Sequence, residues 1–309
     1  MRIVFIGSGD IGIPTLEWLL AAPDVELAGV VTQPDRPAGR GLSLTPCAIK
    51  EKALAHGVPP LQPSRIRVAE AVEEIAMLRP DLLVVMAYGQ ILPQSLLDVP
   101  RCGALNLHAS LLPRHRGAAP VHAAVLAGDA ESGITVMWMD AGLDTGDILL
   151  QRSCRLADDE TAGSLHDRLA AMAPSALAEA LRLIRAGQAP RIKQDGSLAT
   201  STPKLDRGAG RIDWRGSAAE IERRVRGLHP WPGSTAQFAS AEGKRWQVKL
   251  HRVSAEEGAA AAGSLVGDLL VGCGGGGLLR ITELQPAGGR RLAAADFLRG
   301  HPVTRAVTD

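Results

Sequence analysis

Five short apolar runs, "RIVFIG", "ELAGVVTQ", "DLLVVMAYG", "GALNLH" and "GITVMWMD", recur through the first 140 residues, with helical patterns such as "IPTLEWLLAA" and "AEAVEEIAMLR" between them. This alternation constrains the chain more than any other feature. It predicts βαβ units, and therefore a largely parallel sheet covered by helices. The first run ends in "FIGSGDIG", where Gly7, Gly9 and Gly12 stand in the spacing G-x-G-x-x-G and Asp35 follows 23 residues after Gly12. Such glycines permit a tight turn and let a backbone approach a pyrophosphate at a helix N-terminus, with the acid on a ribose. The same glycines also suit any strand-to-helix turn that opens a doubly wound sheet, so on this motif alone a dinucleotide site and a plain turn remain open.

Beyond the fifth run, "AGSLHDRLAAMAPSALAEALRLIRAG" places Leu165, Leu169, Met172, Leu177, Leu181 and Ile184 near helical spacing, with Gly187 as a stop. The stretch "QAPRIKQDGSLATSTPKLDRGAG" is rich in turn formers and has little periodicity, as a linker would. One more helix, "SAAEIERRVRGL", then gives way to short β-type runs, "STAQFA", "RWQVKLHRV", "GSLVGDLLVGC" and "LLRITELQ", which predict a small antiparallel barrel. "GCGGGG" and "EEGAAAAG" read as flexible hairpin loops. At 309 residues the chain accommodates a catalytic domain of about 200 residues plus a smaller module.

Composition narrows the function classes. Hydrophobic residues make up 46% and aromatics 3%, so the core is expected to rely on Leu, Val, Ile and Ala, and no aromatic stripe suggests base stacking. Cys47, Cys102, Cys154 and Cys273 form no C-x-x-C pair, which fits a reduced cytoplasm. The N-terminus turns polar at Gly7 to Asp10 and no 18-residue apolar segment occurs, so neither a signal peptide nor a membrane span is expected. The net charge of +1 hides an asymmetry: residues 1–200 hold 18 Lys and Arg against 22 Asp and Glu, and the remainder hold 16 against 11. A basic C-terminal part suits a polyanion-binding module or a solvated surface.

The densest chemistry lies in "GALNLHASLLPRHRGAAPVHAAVLAG". Asn106 and His108 are two apart on a predicted strand and share a face at its C-terminal end, and Asp144 follows 36 residues after His108 in "MDAGLDTGDILLQ", a glycine-flanked loop between two strands. A His, an amide and a carboxylate together suit general acid/base chemistry with an oxyanion donor, although a surface histidine and an Asp-Thr-Gly turn account for the same residues. His108, His115 and His122 recur every seven residues, but Pro113, Gly117 and Pro120 break any shared helix and no further ligand completes a metal set. No G-x-S-x-G or Cys-His signature supports an acyl-enzyme.

"NLHASLLPRHRGAAP" with "DAGLDTGDILL" resembles the active-site signature of the N10-formyltetrahydrofolate-dependent formyltransferases. "QPDRPAGRG", "RIDW", "HPWPGS" and "LQPAGGRRLAAADFL" narrow the resemblance to the methionyl-tRNA formyltransferases, from Met1 to about Leu298. It implies a Rossmann-like formyltransferase domain with a largely parallel sheet at 1–188, a linker at 189–206, and a small antiparallel OB-like β-barrel at 207–309. The implied reaction moves a formyl group from N10-formyltetrahydrofolate to the α-amine of methionyl initiator tRNA. No metal and no NAD take part, and the enzyme is expected to be a cytoplasmic monomer. By motif position, Asn106 donates to the oxyanion, His108 transfers the proton and Asp144 orients and supports His108. Ser110, Leu111, Leu112 and Pro113 shape the folate pocket through a turn whose backbone groups face the ligand, and "MAYGQILP" lines the pterin end. The resemblance makes the Gly-rich turn a structural one and "QPDRP" the start of a substrate-side loop.

The barrel is implied to hold tRNA phosphates, and Arg40 to enter the acceptor stem. Two departures stand out: His115 occupies a position where the family commonly has an aromatic residue, and Leu42 and Ser43 replace common lysines. A formyltransferase acting on a sugar nucleotide or small amine, and a non-catalytic RNA-binding protein, are the alternatives.

Overall fold

The computed structural model describes residues 1–38 and 43–308; Arg40 and Leu42 lie outside the described residues. The chain divides into two compact units, the first comprising Met1–Pro120, Glu131–Arg155 and His166–Pro203. It opens with β1 (Arg2–Gly7), α1 (Ile13–Ala21) and β2 (Glu26–Val31), followed by the antiparallel pair β3 (Arg36–Ala38) and β4 (Ser43–Thr45). Then come α2 (Ala48–Ala55), α3 (Ala69–Met77), β5 (Leu82–Met86), α4 (Gln94–Leu97), β6 (Ala104–His108) and β7 (Arg116–Gly117). Next along the chain is α5 (Pro120–Ala127), which beyond Pro120 belongs to the second unit; the first unit continues with β8 (Glu131–Trp138), β9 (Ile148–Arg155), α6 (Ala162–Arg185) from His166 onward, and β10 (Ser201–Thr202).

The main sheet has the order β2-β1-β5-β6-β8-β9. Its first four strands are parallel, β8 runs antiparallel to β6, and β9 runs antiparallel to β8. β5 is buried along its whole length, which is why it reads as an unbroken apolar run. β9, the strand expected after the Asp144 loop, is an edge strand that opens on the apolar "ILL" and whose second half, "RSCR", is mostly exposed. Along α6, Leu165, Leu169, Leu177 and Leu181 are buried as the helical spacing requires.

The Gly-rich turn after β1 has a packing reason. A Cβ on Gly7 would lie 2.6 Å from the Met86 carbonyl oxygen, and one on Gly9 2.8 Å from the Ala87 Cβ. The N–H groups of Ser8 and Gly9 both donate to the Ala87 carbonyl, at 3.2 and 3.0 Å. The donors that a pyrophosphate would need are thus spent on the end of β5. Asp35 is likewise engaged: it accepts from Lys50 Nζ at 2.8 Å and from Gln62 Nε2 at 3.0 Å, and these partners hold its carboxyl below the usual range.

The second unit comprises Val121–Ala130, Leu156–Leu165 and Lys204–Asp309. It contains α7 (Ala218–Gly227), β11 (Ser234–Ala239), β12 (Arg245–Glu256), β13 (Leu270–Gly272), β14 (Leu278–Pro286), β15 (Leu292–Ala293), α8 (Ala294–Gly300) and β16 (Arg305–Ala306). Ser217 caps α7 reciprocally with Glu220, a capping box legible as "SAAE". The antiparallel sheet runs β13-β14-β12-β11-β16. Bridges Ser264↔Arg305 and Leu265↔Val271 join its two edges into a nearly closed barrel. "GSLVGDLLVGC" is therefore not one strand: it folds back on itself, with Leu265 against Val271, and only Leu270–Gly272 forms a strand.

The barrel core is mostly aliphatic, as expected, yet three rings stand within it. Trp214, Phe238 and Phe297 are all fully buried, and the rings of Trp214 and Phe238 lie 6.2 Å apart. Few rings overall does not mean few rings per core, because two of the three Phe residues are spent here. "GCGGGG" is the hairpin turn between β13 and β14, with Gly275, Gly276 and Gly277 all at positive φ. Among the described residues no helix is long and apolar enough to cross a membrane.

One ion pair ties α6 to the Gly-rich turn. His166 Nε2 lies 3.1 Å from Asp10 Oδ1, and this bond, opposed by burial and reinforced by Asp167, raises the imidazole to about 9. A histidine whose folded value exceeds its unfolded value of about 6.5 stabilises the fold fully below that value, and the contribution is lost as pH rises through about 9. Because Asp10 is largely exposed, the contribution is under about 1 kcal/mol. His166→Gln should lower the unfolding midpoint in denaturant titrations at pH 6, and the two proteins should converge at pH 10.

Candidate active site

β6 lies inside the main sheet, Asn106 opposite Val85 of β5 and Met137 of β8, and His108 opposite Thr135 of β8. Strand alternation puts Asn106 and His108 on one face. Asp144 sits between β8 and β9 with φ +54°, a left-handed backbone that costs energy for any residue other than glycine. Its side chain is 11% exposed and that of His108 6%. The structure brings the three residues together: Asn106 Nδ2 donates to Asp144 Oδ1 at 3.2 Å, and Asp144 Oδ2 lies 3.7 Å from His108 Nδ1.

The 3.7 Å separation is an ion-pair distance, not a hydrogen bond. The bond that orients the imidazole is made by its other nitrogen, since His108 Nε2 donates to the His115 carbonyl at 2.9 Å. That carbonyl fixes the tautomer and leaves Nδ1 as the nitrogen beside the carboxylate. Asp144 is held by the Gly117 N–H, which donates to Oδ2 at 2.8 Å. Gly117 has φ +107°, and a Cβ there would lie 2.4 Å from the Thr202 carbonyl oxygen, so only glycine lets β7 approach β10 and present this N–H.

The turn Ser110 to Pro113 follows β6. Ser110 is fully buried and its hydroxyl donates to the Arg114 carbonyl at 2.7 Å, closing the turn. Thr135 Oγ1 accepts from Leu112 N–H at 3.1 Å and donates to the Ser110 carbonyl at 2.6 Å, and Gln151 Nε2 donates to the Leu112 carbonyl at 2.9 Å. Leu111 O accepts from Arg114 N–H, and Pro113 O from Thr200 N–H. Much of the turn's backbone is thus spent on the protein itself, which differs from the expected ligand-facing backbone; the half-buried Leu111 and Pro113 are what it presents. In "MAYGQILP", Ala87 and Gly89 have positive φ and Gln33 Nε2 donates to the Tyr88 carbonyl, so the backbone there is irregular. A cavity of about 480 Å³ opens beside this segment, lined by Arg65, Arg67, Gln90, Ile91 and Pro93, and none of Asn106, His108 or Asp144 lines it.

Several residues of the site escape a reading of the sequence. Thr200 Oγ1 accepts from His115 N–H at 2.8 Å, and Gln194 Nε2 donates to the carbonyls of Asp144 at 2.9 Å and Gly146 at 2.8 Å. Both lie in the turn-rich stretch that reads as a linker, which lacks any periodic signal. Thr135 and Gln151 sit on β8 and β9, where the only cue was polarity inside a sheet. Among the described residues no group of three or more His, Cys, Asp or Glu could hold a metal ion.

Residues 1–181 match the formyl transferase family and residues 204–302 the formyl transferase C-terminal domain. The chain is 51% identical to a methionyl-tRNA formyltransferase of Pseudomonas paraeruginosa, covering 96% of this chain and 95% of that protein. It is 47% identical to one of Geobacter sulfurreducens, covering 97% and 94%. The chain belongs to the methionyl-tRNA formyltransferase family. Among solved structures, an N-formyltransferase from Helicobacter canadensis in complex with folinic acid and dTDP-3-aminofucose superposes with a TM-score of 0.64 at 14% identity, covering 91% of this chain and 98% of that one, a likeness of fold.

Thr135 gives this formyltransferase a stability test. Thr135→Val keeps the shape but leaves Leu112 N–H and the Ser110 carbonyl without their buried partner. The expected loss is about 2–4 kcal/mol by urea unfolding, whereas Thr135→Ser, which keeps the hydroxyl, should stay within about 1 kcal/mol.

Proposed function

We propose that the chain transfers the formyl group of N10-formyltetrahydrofolate to the α-amine of methionine esterified to initiator tRNA. What carries this reading is the match to methionyl-tRNA formyltransferases along 96% of the chain, second unit included. The folinic acid held by the Helicobacter canadensis enzyme supports a folate donor.

The amine attacks the formyl carbon, a tetrahedral oxyanion forms, the amine loses a proton, and the C–N10 bond breaks as N10 gains one. Asn106 keeps one Nδ2 hydrogen on Asp144 and offers the other to the oxyanion. His108, with Nε2–H committed to His115, takes the proton at Nδ1 and passes it to the departing nitrogen. Asp144 stabilises the imidazolium electrostatically across 3.7 Å. Leu111 and Pro113, with Ser110 and Leu112 fixing the turn beneath them, shape the folate pocket.

In the same proposal residues 1–188 carry the chemistry, residues 207–309 hold the tRNA chiefly through phosphates, Arg40 contacts the acceptor stem, and the enzyme works as a cytoplasmic monomer. The basic excess beyond residue 200 supports the assignment of the tRNA surface, since phosphate neutralisation is the dominant source of affinity for nucleic acid.

Formyl transfer to methionyl initiator tRNA is the deciding assay, run beside uncharged tRNA and a dTDP-amino sugar. Transfer to the sugar alone would overturn the reading. Asn106→Ala and His108→Ala should each lower turnover about a hundredfold or more, and near-normal turnover in both would reassign the chemistry. Affinity for tRNA should fall linearly on a log–log plot against salt, while folate affinity changes little.

A further inference from the structure

Gln194 lies outside every residue assigned above to catalysis or substrate, yet its amide is saturated. Its two Nε2 hydrogens go to the carbonyls of Asp144 at 2.9 Å and Gly146 at 2.8 Å, and its Oε1 accepts from Arg116 Nε at 3.1 Å and Nη2 at 2.7 Å. These four bonds fix the amide's orientation, because the flipped rotamer would set its oxygen against two carbonyl oxygens and its NH2 against a guanidinium. They also join the two loops on which the site depends. One carries Asp144 in its left-handed conformation; the other runs from His108 through the His115 carbonyl that orients it to the Gly117 N–H that holds the Asp144 carboxylate.

The surrounding segment acts in the same sense. Ile192 exchanges both backbone hydrogen bonds with Ile148 at the start of β9, Thr200 holds His115 N–H, and β10 pairs with β7 so that Ser201 faces Arg116 and Thr202 faces Gly117. Residues 192–202 thus run as a strap across both loops, and Gln194 is where one side chain grips the two at once.

We propose that Gln194 is a positioning residue for formyl transfer, holding the Asp144 turn against Arg116 so that the carboxylate keeps its place beside Asn106 and His108. The inference rests on the proposed function, and it concerns how the site is held, not what the site transforms. A displacement of about 1 Å in such a site costs about a hundredfold in rate, so the effect belongs in kcat.

The test compares Gln194→Met, which keeps length and loses all four bonds, with Gln194→Glu, which keeps the acceptors for Arg116 and sets a carboxylate against two carbonyls. Both are measured in the full-length enzyme with N10-formyltetrahydrofolate and methionyl-tRNA, alone and in an Asp144→Asn background. Expected are a kcat lower by about 10- to 100-fold in both single variants and a KM for the formyl donor within about threefold of wild type. In the Asp144→Asn background Gln194→Met should add less than about threefold, because a residue acting through Asp144 has nothing left to position. Additive losses, a change confined to KM, or Gln194→Glu retaining half the wild-type kcat would overturn the proposal. A wild-type enzyme inert toward methionyl-tRNA would instead overturn the proposed function, and that result is read from the wild-type arm alone.

Discussion

The carboxylate of Asp144, nearly enclosed among protein groups, is the constraint around which the first unit's loops are arranged. Burying an ionised carboxylate costs several kcal/mol unless donors and charges compensate it. Here the compensation comes from the Asn106 amide on β6 and the Gly117 N–H on β7, with the His108 imidazole beside them. Each donor imposes a demand in turn. Asn106 must stand at a position of β6 that shares its face with His108, and Gly117 must be glycine because Thr202 lies against its Cα. One buried charge thus fixes the relation among three separate stretches of chain.

The same logic resolves the Gly-rich turn. Gly7, Gly9 and Gly12 have the spacing of a dinucleotide fingerprint, but their hydrogen-bond donors serve the chain's own backbone. The carbonyl of Ala87 takes up the N–H groups of Ser8 and Gly9, and the closeness of Gly7 to the Met86 carbonyl is a matter of strand packing. A glycine pattern records where backbones come close. What approaches, a cofactor or another strand, is decided elsewhere in the fold.

Legibility followed periodicity. The four parallel strands, α1, α3, α6 and α7 were readable because a buried strand or an amphipathic helix repeats a pattern over several residues. Asn106 and His108 were readable as a same-face pair for that reason, and Asp144 because a recognisable motif surrounds it. Edge strand β9 was legible only in its apolar start, "ILL", and the fold-back around Leu265 was hidden by the apolar run in which it is embedded. The residues least visible were Gln194, Thr200 and Thr135, whose side chains hydrogen-bond to backbone atoms distant in sequence. Nothing local in a sequence encodes such a partner, so an aperiodic stretch that reads as a connector can turn out to brace a site.

The departures from the family pattern can be weighed on the same physical grounds. At His115, where the resemblance leads one to expect an aromatic residue, the site uses the carbonyl, which accepts from His108 Nε2–H, and the N–H, which donates to Thr200 Oγ1. The His115 side chain is itself buried, with Nδ1 3.4 Å from Thr200 Oγ1, so the freedom to vary extends only to residues that fit this enclosed space and tolerate φ +62°, a conformation that histidine adopts more readily than β-branched residues do. Gly117, two positions on, has no such freedom, since both its φ and the Thr202 carbonyl forbid a Cβ. Within one short loop, then, constraint is set by which atoms are in contact: a position that serves the site through its backbone while its side chain is enclosed admits the residues that fit, whereas a position whose Cα is in contact admits one.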